Sequence, residues 1–216
     1  MPGAKYLMTP QETLKVSIIV GSHRPQSQSA KVGHFFRRLF LRGGMGREAF
    51  LHDLAETPLP FWDEGVWSGT EQWSRTWEPV SQELARSDGL VLVTPEWGGM
   101  ATPALKNFLL LCSNGVVRHR PVLIVSVSAS RGGTYPIAEL RMASGKNSHL
   151  CFIPEHIIVR QVTQVLNDDE APANDEDAYL RGRLVYAMNM LVEYSRALRH
   201  VRTSPVMQEQ RFRYGM

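Results

Sequence analysis

Hydrophobic residues occur in this chain in two alternating patterns. The first is a short, continuous apolar run rich in β-branched residues, which is typical of a strand buried on both faces of a sheet. It predicts strands at residues 16–20, 90–93, 121–128 and 156–162, with a further short strand at residues 49–54. The second places apolar residues at the i, i+3, i+4 and i+7 positions of one helix face. It predicts helices at residues 32–40, 73–87, 104–113, around 137–141 and at about 178–200.

Strands that alternate with helices predict one α/β domain, in which a parallel sheet is covered on both faces and joined by right-handed connections. We expect the domain to cover residues 15–203, after a flexible lead-in of residues 1–14 and before a tail of residues 204–216. Open parallel sheets bind ligands beyond the C-terminal ends of their strands. Three unusual loops follow such ends: the first loop (residues 22–29), the second loop (94–103) and the third loop (128–135).

The first loop combines several groups that bind anions. Ser22, Ser27 and Ser29 supply hydroxyls, and Arg24 supplies a guanidinium. The loop ends where the unpaired N–H groups of the next helix begin, and these groups and the helix dipole favour a phosphate. An ordinary capped loop, with Ser27 or Ser29 as N-cap and Arg24 in solvent, explains the same residues. The position of the loop at a strand end favours phosphate binding.

Composition and charge restrict the remaining possibilities. The 216 residues are 43% hydrophobic and 21% charged, as in a globular domain. No apolar run approaches the roughly 18 residues of a membrane span, and the N-terminus lacks the apolar core of a secretory signal. We therefore expect a cytoplasmic protein without a membrane partner. A net charge of +3 is too small to imply nucleic acid, so no such partner is predicted.

The cysteines and an acidic run have structural explanations, and the sequence lacks the motifs of several other enzyme classes and of metal sites. Cys112 and Cys151 have apolar neighbours and are predicted to be buried thiols rather than a disulfide. The acidic residues 175–177 precede the last predicted helix, where they complement the helix dipole. The sequence has no GxSxG, GxxxxGK[ST] or GxGxxG motif. Its seven histidines show no metal-ligand spacing, so we predict no metal site.

The three loops resemble those of the NADPH-dependent FMN reductase family, which includes quinone, azo-dye and chromate reductases. The resemblance covers about residues 16–162. The first-loop motif, Gly-Ser-x-Arg-x-x-Ser-x-Asn, is matched by Gly21, Ser22, Arg24 and Ser27, with Ser29 where asparagine is common. The second-loop motif, Thr-Pro-Glu-Tyr-Asn before a Leu-Lys-Asn helix, is matched by Thr94, Pro95, Glu96, Leu105, Lys106 and Asn107. The third, Ser-x-x-Gly-Gly, is met by Ser130 or Ser128 with Gly132 and Gly133.

This resemblance implies a flavodoxin-like three-layer sandwich with a five-stranded parallel sheet in the order 2-1-3-4-5. It implies that FMN lies across the three loops, with its phosphate in the first loop and its ring system between the second and third. The implied cofactor-binding residues are Ser22, Arg24, Ser27, Ser29, Ala30, Pro95, Glu96, Trp97, Gly98, Ser128, Ser130, Arg131, Gly132 and Gly133. No catalytic side chain is implied, because the flavin carries the chemistry.

The activity implied by the resemblance is hydride transfer from NADPH or NADH, through FMN, to a small-molecule acceptor. Quinones, azo compounds, metal oxyanions and free flavin are the implied acceptors, and a homodimer or homotetramer is the implied assembly. Arg131 is either a contact to the NADPH phosphate or an exposed loop residue. The alternative function is a non-enzymatic flavodoxin-like electron carrier or sensor, or a flavin-free interaction protein. The small positive net charge opposes a flavodoxin-type carrier, which usually has an acidic surface.

The sequence departs from the family pattern at two places. Trp97 and Gly98 replace the tyrosine and asparagine of the second loop, so a side-chain amide near the flavin is lost. Trp97 either stacks on the flavin or caps the core. Leu110 and Leu111 replace an acidic residue and a tryptophan at an oligomer contact. Residues 62–77 also contain four of the five tryptophans, which form either a contact surface or a partly buried cluster.

Overall fold

The computed structural model describes residues 14–168 and 170–208, and its centre is a sheet of five parallel strands. The strands are β1 (Lys15–Val20), β2 (Glu48–Asp53), β3 (Gly89–Pro95), β4 (Pro121–Val127) and β5 (Cys151–Val159). Their order is β2-β1-β3-β4-β5, which confirms the predicted topology. β2 is added on one side of β1, and β3, β4 and β5 are added on the other. At such a change in strand order a crevice is expected beyond the C-terminal ends of β1 and β3. Most of the predicted lead-in and part of the tail lie outside the described residues.

Helices cover both faces of the sheet. They are α1 (Gln28–Arg42), α2 (Gly65–Ser68), α3 (Glu71–Thr76), α4 (Glu78–Ala85), α5 (Pro103–Leu111), α6 (Tyr135–Ala143) and α7 (Asp175–Thr203). On one face, Phe36 of α1 and Leu184 of α7 pack with alternate strand residues such as Ile18. On the other, Phe108 of α5 and Leu84 of α4 pack with the intervening strand residues. Because both faces are covered, β1, β3 and β4 are buried at every position, as their continuous apolar runs predicted.

The last strand begins earlier than predicted. Residues 156–162 were expected, whereas β5 runs over Cys151–Val159. It is an edge strand with mixed burial, and Pro154 and Glu155 separate the short apolar run at residues 151–153 from the second run at residues 157–159, so the pattern does not indicate one strand. Pro154 lies within it, and the pairing register with β4 shifts between Val122 and Ile124. An edge strand tolerates a proline because one side of its backbone has no neighbouring strand.

The helix predicted at residues 73–87 is broken into α3 and α4. Pro79 stands at the start of α4 and has no N–H to donate to the preceding turn, so the helix is interrupted at Trp77. Trp73 and Trp77 are buried in the core, whereas Phe61 and Trp67 are exposed. The tryptophan-rich segment is therefore partly buried, and the exposed Trp67 leaves the alternative of a contact surface as a prediction.

Two further structural predictions can be compared with the structure. Cys112 is a buried free thiol, as predicted, whereas Cys151, the first residue of β5, is a free thiol that is only half-buried. The acidic start of α7 is structural, since Asn174 caps the helix and buried Asp177 accepts hydrogen bonds from the N–H groups of Leu166 and Ala173. Within residues 14–168 and 170–208, none of the helices has the length and apolar character needed to cross a membrane.

Candidate functional site

The three predicted loops meet at the C-terminal edge of the sheet. The first loop touches the second through the His23 and Trp97 rings, which meet edge to face with centroids 4.7 Å apart. The second loop touches the third through Glu96, whose Oε2 accepts a hydrogen bond of 2.5 Å from the Gly133 N–H. These contacts make the three loops one continuous surface.

The first loop is packed tightly at its start and ends in a capped helix. A Cβ on Gly21 would lie 2.9 Å from the Cβ of Leu105, so only glycine lets β1 approach α5 this closely. Ser27 is the N-cap of α1, and its Oγ accepts from the Ala30 N–H at 3.0 Å. The capping role that the sequence offered as an alternative is therefore present, although it does not exclude anion binding.

Two hydroxyls of this loop are oriented by backbone groups. Ser22 is buried, and its Oγ accepts from the Arg24 N–H at 3.2 Å. Ser27 Oγ likewise accepts from a backbone N–H, that of Ala30. Because each oxygen accepts from the backbone, each O–H hydrogen is left to donate to a ligand. Ser29 is also buried, whereas the Arg24 side chain is exposed. The loop thus presents hydroxyls and one cation at the positive end of α1.

The second loop contains a tight turn. Trp97 and Met100 exchange backbone hydrogen bonds, each 3.1 Å, across Gly98 and Gly99. Both glycines have positive φ, +59° and +76°, which is typical of a two-residue type I′ turn. Asparagine and glycine both adopt this conformation readily. Gly98 therefore preserves the backbone that an asparagine would give, and only the amide is lost.

Trp97 is half-buried beside the exposed His23, at the junction of the first two loops.

The end of the second loop is held in place by a side chain of α6. Glu139 accepts a hydrogen bond of 2.6 Å from the Ala101 N–H, and it forms an ion pair of 3.0 Å with Lys106. Burial raises the pKa of Glu139. The Ala101 N–H and Lys106 together lower it by more, so its pKa lies below the ordinary value.

The third loop is held on one side by Glu96 of the second loop and on the other by residues that follow β5. On the β5 side, the Gln161 N–H donates to the Ser130 carbonyl at 3.0 Å, and Arg160 Nε donates to the Gly132 carbonyl at 3.1 Å. Ser128 is buried, whereas Ser130 and Arg131 are exposed.

The two glycines of this loop are required by space. A Cβ on Gly132 would lie 2.2 Å from Glu96 Oε2, and one on Gly133 would lie 2.4 Å from Ile158 Cγ2. Gly133 also has φ +108°, a conformation that other residues rarely adopt. The glycines thus let the main chain of the third loop lie directly against Glu96 and β5.

The predicted site residues therefore lie in one region, and the structure adds others that the sequence did not suggest. Thr102 caps α5, and its hydroxyl donates to the Gly21 carbonyl, which links the first and second loops. The Thr-Pro pair at positions 102 and 103 is a helix-start signal that could have identified it. Nothing in the local sequence distinguishes His23 or Arg160. Among the described residues, no group of three or more His, Cys, Asp or Glu side chains could hold a metal ion.

Asn107, which belongs to the second motif, has a different position. Its side chain accepts from the Trp62 N–H and donates to the Pro60 carbonyl, each at 2.8 Å. It anchors the tryptophan-rich segment to α5. Leu110 is 57% exposed and Leu111 is buried, so the two departures at the expected oligomer contact have opposite environments.

Comparison with known proteins identifies relatives that match most of the chain. The sequence model of a protein family described as NADPH-dependent FMN reductase matches residues 14–164. The chain is 25% identical, over 173 residues, to an FMN-dependent NADPH-azoreductase of Staphylococcus aureus; the alignment covers 79% of this chain and 90% of that protein.

Solved structures share the fold. FerB from Paracoccus denitrificans, a flavoenzyme NAD(P)H:(acceptor) oxidoreductase, has a TM-score of 0.65 and 19% identity, covering 86% of this chain and 98% of that one. An azoreductase from Bacillus anthracis has a TM-score of 0.53 and 11% identity, covering 86% and 100%. At these identities the similarity concerns the fold alone.

Proposed function

The chain belongs to the NADPH-dependent FMN reductase family, and on this basis we propose that it binds FMN and passes electrons from NADPH or NADH to a small-molecule acceptor. It is accordingly an oxidoreductase enzyme. The observation that carries the proposal is the convergence of three family-like loops on one surface, joined by the His23–Trp97 and Glu96–Gly133 contacts. We assign the flavin-binding unit to residues 15–203.

The residues of this surface fit FMN. The phosphate would be held by Ser22, Ser27, Ser29 and Arg24, together with backbone N–H groups at the start of α1 that the Ser27 cap does not use. The hydroxyls of Ser22 and Ser27 each have a hydrogen free to donate, as described above. The Glu96 carboxylate also has a buried oxygen, Oε1, without a hydrogen-bond partner in the described part of the chain. A buried acceptor of this kind is expected where a ligand supplies the donor.

The second and third loops would border the ring system. We propose Pro95, Glu96, Trp97 and Gly98 for one side and Ser128, Ser130, Arg131, Gly132 and Gly133 for the other. The bound flavin would supply the hydride and electron transfer, as cofactors of this class do. The protein's contribution is binding and orientation: the glycines admit the main chain closely, and the Glu96 and Glu139 contacts fix the loop backbones. No side chain of these loops is assigned an acid or base role.

We propose that the acceptor is a quinone, an azo compound, a metal oxyanion or free flavin. The S. aureus relative is named as an azoreductase, and FerB is described with an unspecified acceptor. This breadth agrees with a site in which the flavin lies at an open edge of the sheet. Since Cys112 and Cys151 are free thiols, a reducing compartment suits the protein, and we propose a cytoplasmic location.

We also propose a homodimer or homotetramer. A groove of about 360 Å³ lies between α5 and α6, and much of its wall is apolar, including Leu109, Leu110 and Leu140. Next to it on α6, Met142 is 83% exposed. Contiguous apolar surface of this kind is typical of interfaces. Sizing in solution by light scattering tests this part of the proposal.

The alternatives are an electron carrier or sensor that retains FMN, and a flavin-free interaction protein. The loss of the second-loop amide at Gly98 and the exposed Trp67 favour them, while the net charge of +3 opposes an acidic carrier. One experiment separates the three. The purified protein is incubated with FMN, desalted, and treated with NADPH without oxygen. Bleaching of the flavin absorbance supports the reductase, a persistent colour supports the carrier or sensor, and a colourless protein that takes up no FMN supports the interaction protein.

A further inference from the structure

Two large apolar side chains are exposed within the three loops, and neither belongs to the motifs or to the predicted cofactor-binding residues. Met100 of the second loop is 51% exposed, and Tyr135, the last residue of the third loop, is 71% exposed. Single exposed apolar residues are ordinary on a protein surface, whereas a contiguous group of them marks a place where something binds. The surroundings of the two side chains therefore decide what they indicate.

Met100 and Tyr135 both stand over the turn of the second loop. A Cβ on Gly98 would lie 3.7 Å from Met100 Cε, and a Cβ on Gly99 would lie 3.9 Å from the Tyr135 ring. Because these glycines carry no side chain, the thioether and the ring approach the main chain of the turn directly. The two exposed groups are thus neighbours on one small surface, although they come from different loops.

Trp97 extends this surface towards the first loop. Trp97 and Met100 are paired antiparallel by their two backbone hydrogen bonds, and residues paired in this way place their side chains on the same face. On its other side, Trp97 meets the His23 ring edge to face. His23, Trp97, Met100 and Tyr135 therefore form a row from the first loop to the third, which we call the aromatic rim.

The aromatic rim suits one class of electron acceptor better than another. Planar aromatic molecules bind to rings by stacking and apolar burial, and a thioether also contacts aromatic rings favourably. A metal oxyanion is small, charged and strongly hydrated, so it needs cations or several N–H and O–H donors in place of its water. Within the rim only His23 can carry a positive charge. The exposed Arg131 of the third loop makes the oxyanion the competing class.

We propose that Met100 and Tyr135 are specificity-determining residues that bind the planar ring of an aromatic acceptor, so that quinones, azo compounds or flavins are used in preference to metal oxyanions. The inference rests on the proposed function and narrows it, since that function leaves the acceptor class open. Tyr135 acts through its ring rather than its hydroxyl. Neither side chain is assigned a proton or an electron in the reaction.

Four variants test the contribution of each group. Tyr135→Ala removes the ring, whereas Tyr135→Phe keeps the ring and removes only the hydroxyl. Met100→Ala removes the thioether. Tyr179→Ala is the matched control, because Tyr179 is a tyrosine of similar exposure, 67%, on α7. α7 packs on the opposite face of the sheet from α6, the helix that Tyr135 begins.

Two kinds of measurement are made on the FMN-loaded protein. Steady-state kinetics compare menadione, a two-ring quinone, with chromate. Calorimetry measures the affinity for 2-naphthol, a two-ring aromatic that is not reduced and so reports binding without turnover. For Tyr135→Ala we expect the KM for menadione and the Kd for 2-naphthol each to rise about tenfold. The kcat for menadione should not change, because the lost contact is made equally before and during the reaction.

The remaining expectations are comparative. Met100→Ala should shift the same two constants in the same direction by a smaller factor. Tyr135→Phe and Tyr179→Ala should match the wild type. The kcat/KM for chromate and the affinity for FMN should be the same in all five proteins, because neither ligand is assigned to these two side chains.

The outcomes separate this inference from the proposed function. If the wild type takes up no FMN, the proposed function fails and the inference fails with it. If the wild type binds FMN and reduces menadione, but Tyr135→Ala and Met100→Ala keep the wild-type KM and 2-naphthol affinity, the proposed function stands and only the inference is overturned. A wild type that uses chromate more efficiently than menadione also overturns the inference while leaving the reductase function intact.

Discussion

Asp88 and Arg199 form a two-pronged ion pair between the start of β3 and the end of α7. Arg199 Nε donates to Asp88 Oδ1 and Nη2 donates to Oδ2, each at 2.6 Å. Asp88 is almost fully buried, and it also accepts from Arg202 at 3.1 Å and from the Lys15 N–H at 3.0 Å. The carboxylate thus joins β1, β3 and the last helix at the N-terminal edge of the sheet, opposite the candidate site.

The first prediction concerns the stability that this carboxylate provides. Replacement of Asp88 by alanine removes the buried carboxylate that accepts from Arg199, Arg202 and the Lys15 N–H, so we expect the free energy of unfolding to fall by about 3 kcal/mol. Arg75→Ala is the control, because Arg75 and Glu71 form an exposed pair worth only about 0.3–0.5 kcal/mol. Urea unfolding followed by circular dichroism measures both. Equal effects of the two substitutions would show that the Asp88 network does not stabilise the fold.

The second prediction is a pH dependence that originates at His52. This side chain is 5% exposed at the end of β2, and burial lowers its pKa from 6.5 to about 4, while a hydrogen bond with the Thr57 backbone raises it by less. The folded state therefore keeps His52 neutral where the unfolded chain binds a proton. Stability is present above pH 6.5 and is lost as the pH falls from about 6.5 towards 4.

For His52→Leu, this part of the pH dependence should disappear. Between pH 7 and pH 5 the wild type is expected to lose about 2 kcal/mol more of its unfolding free energy than the variant does. The comparison is of slopes, so any constant effect of the substitution cancels. Gln72→Ala, at an exposed residue without a titratable group, should retain the wild-type slope. Parallel curves for the wild type and His52→Leu would contradict the prediction.

The sequence predicted the sheet because its signal is local. Residues 16–20, 90–93 and 121–127 are buried on both faces, so their continuous apolar runs identify them without knowledge of their neighbours. The start of β5 was missed because Pro154 and Glu155 interrupt its apolar residues, and a proline argues against a continuous strand. The break at Trp77 was missed because the helical spacing continues across it, although Pro79 provided the signal.

The candidate site could be located from the sequence for a related reason. Parallel strands place their C-terminal ends at one edge, so the loops after β1, β3 and β4 had to be neighbours once the strands were assigned. The contacts within the site could not be predicted. Glu96 and Gly133 are 37 positions apart, and nothing local indicates that the carboxylate turns towards the third loop. The same applies to the contact between His23 and Trp97.

The third prediction uses the space around Gly133. Alanine at this position must adopt φ near +108° and place its Cβ against Ile158. We expect a loss of stability of about 1–3 kcal/mol from the backbone conformation, and a loss of FMN affinity because the third loop is displaced. Gly69→Ala is the control: Gly69 also has a positive φ, +64°, but its Cβ would meet no atom within 4 Å.

The control should lose about 1–2 kcal/mol of stability from its positive φ alone and keep the wild-type FMN affinity. Thermal unfolding and fluorescence titration with FMN measure the two quantities on the same samples. If Gly133→Ala and Gly69→Ala have the same FMN affinity, the third loop does not border the flavin.

The fourth prediction tests the phosphate position directly. The Arg24 side chain is exposed, so Arg24→Ala should change the unfolding free energy by no more than about 0.5 kcal/mol. Ser27 caps α1, so Ser27→Ala should lose about 1 kcal/mol. Both variants should bind FMN about tenfold more weakly, because each removes a donor to the phosphate.

Riboflavin provides the decisive comparison for these two variants, since it has the same ring system as FMN but no phosphate. Its affinity, measured by the same fluorescence titration, should be unchanged in Arg24→Ala, because no charged group of the ligand remains for the guanidinium to bind. The difference between FMN and riboflavin affinities should also shrink at high salt in the wild type, because Arg24 is exposed to screening ions. Should Arg24→Ala weaken FMN and riboflavin equally, the guanidinium does not contact the phosphate, and the first loop binds the flavin in another way.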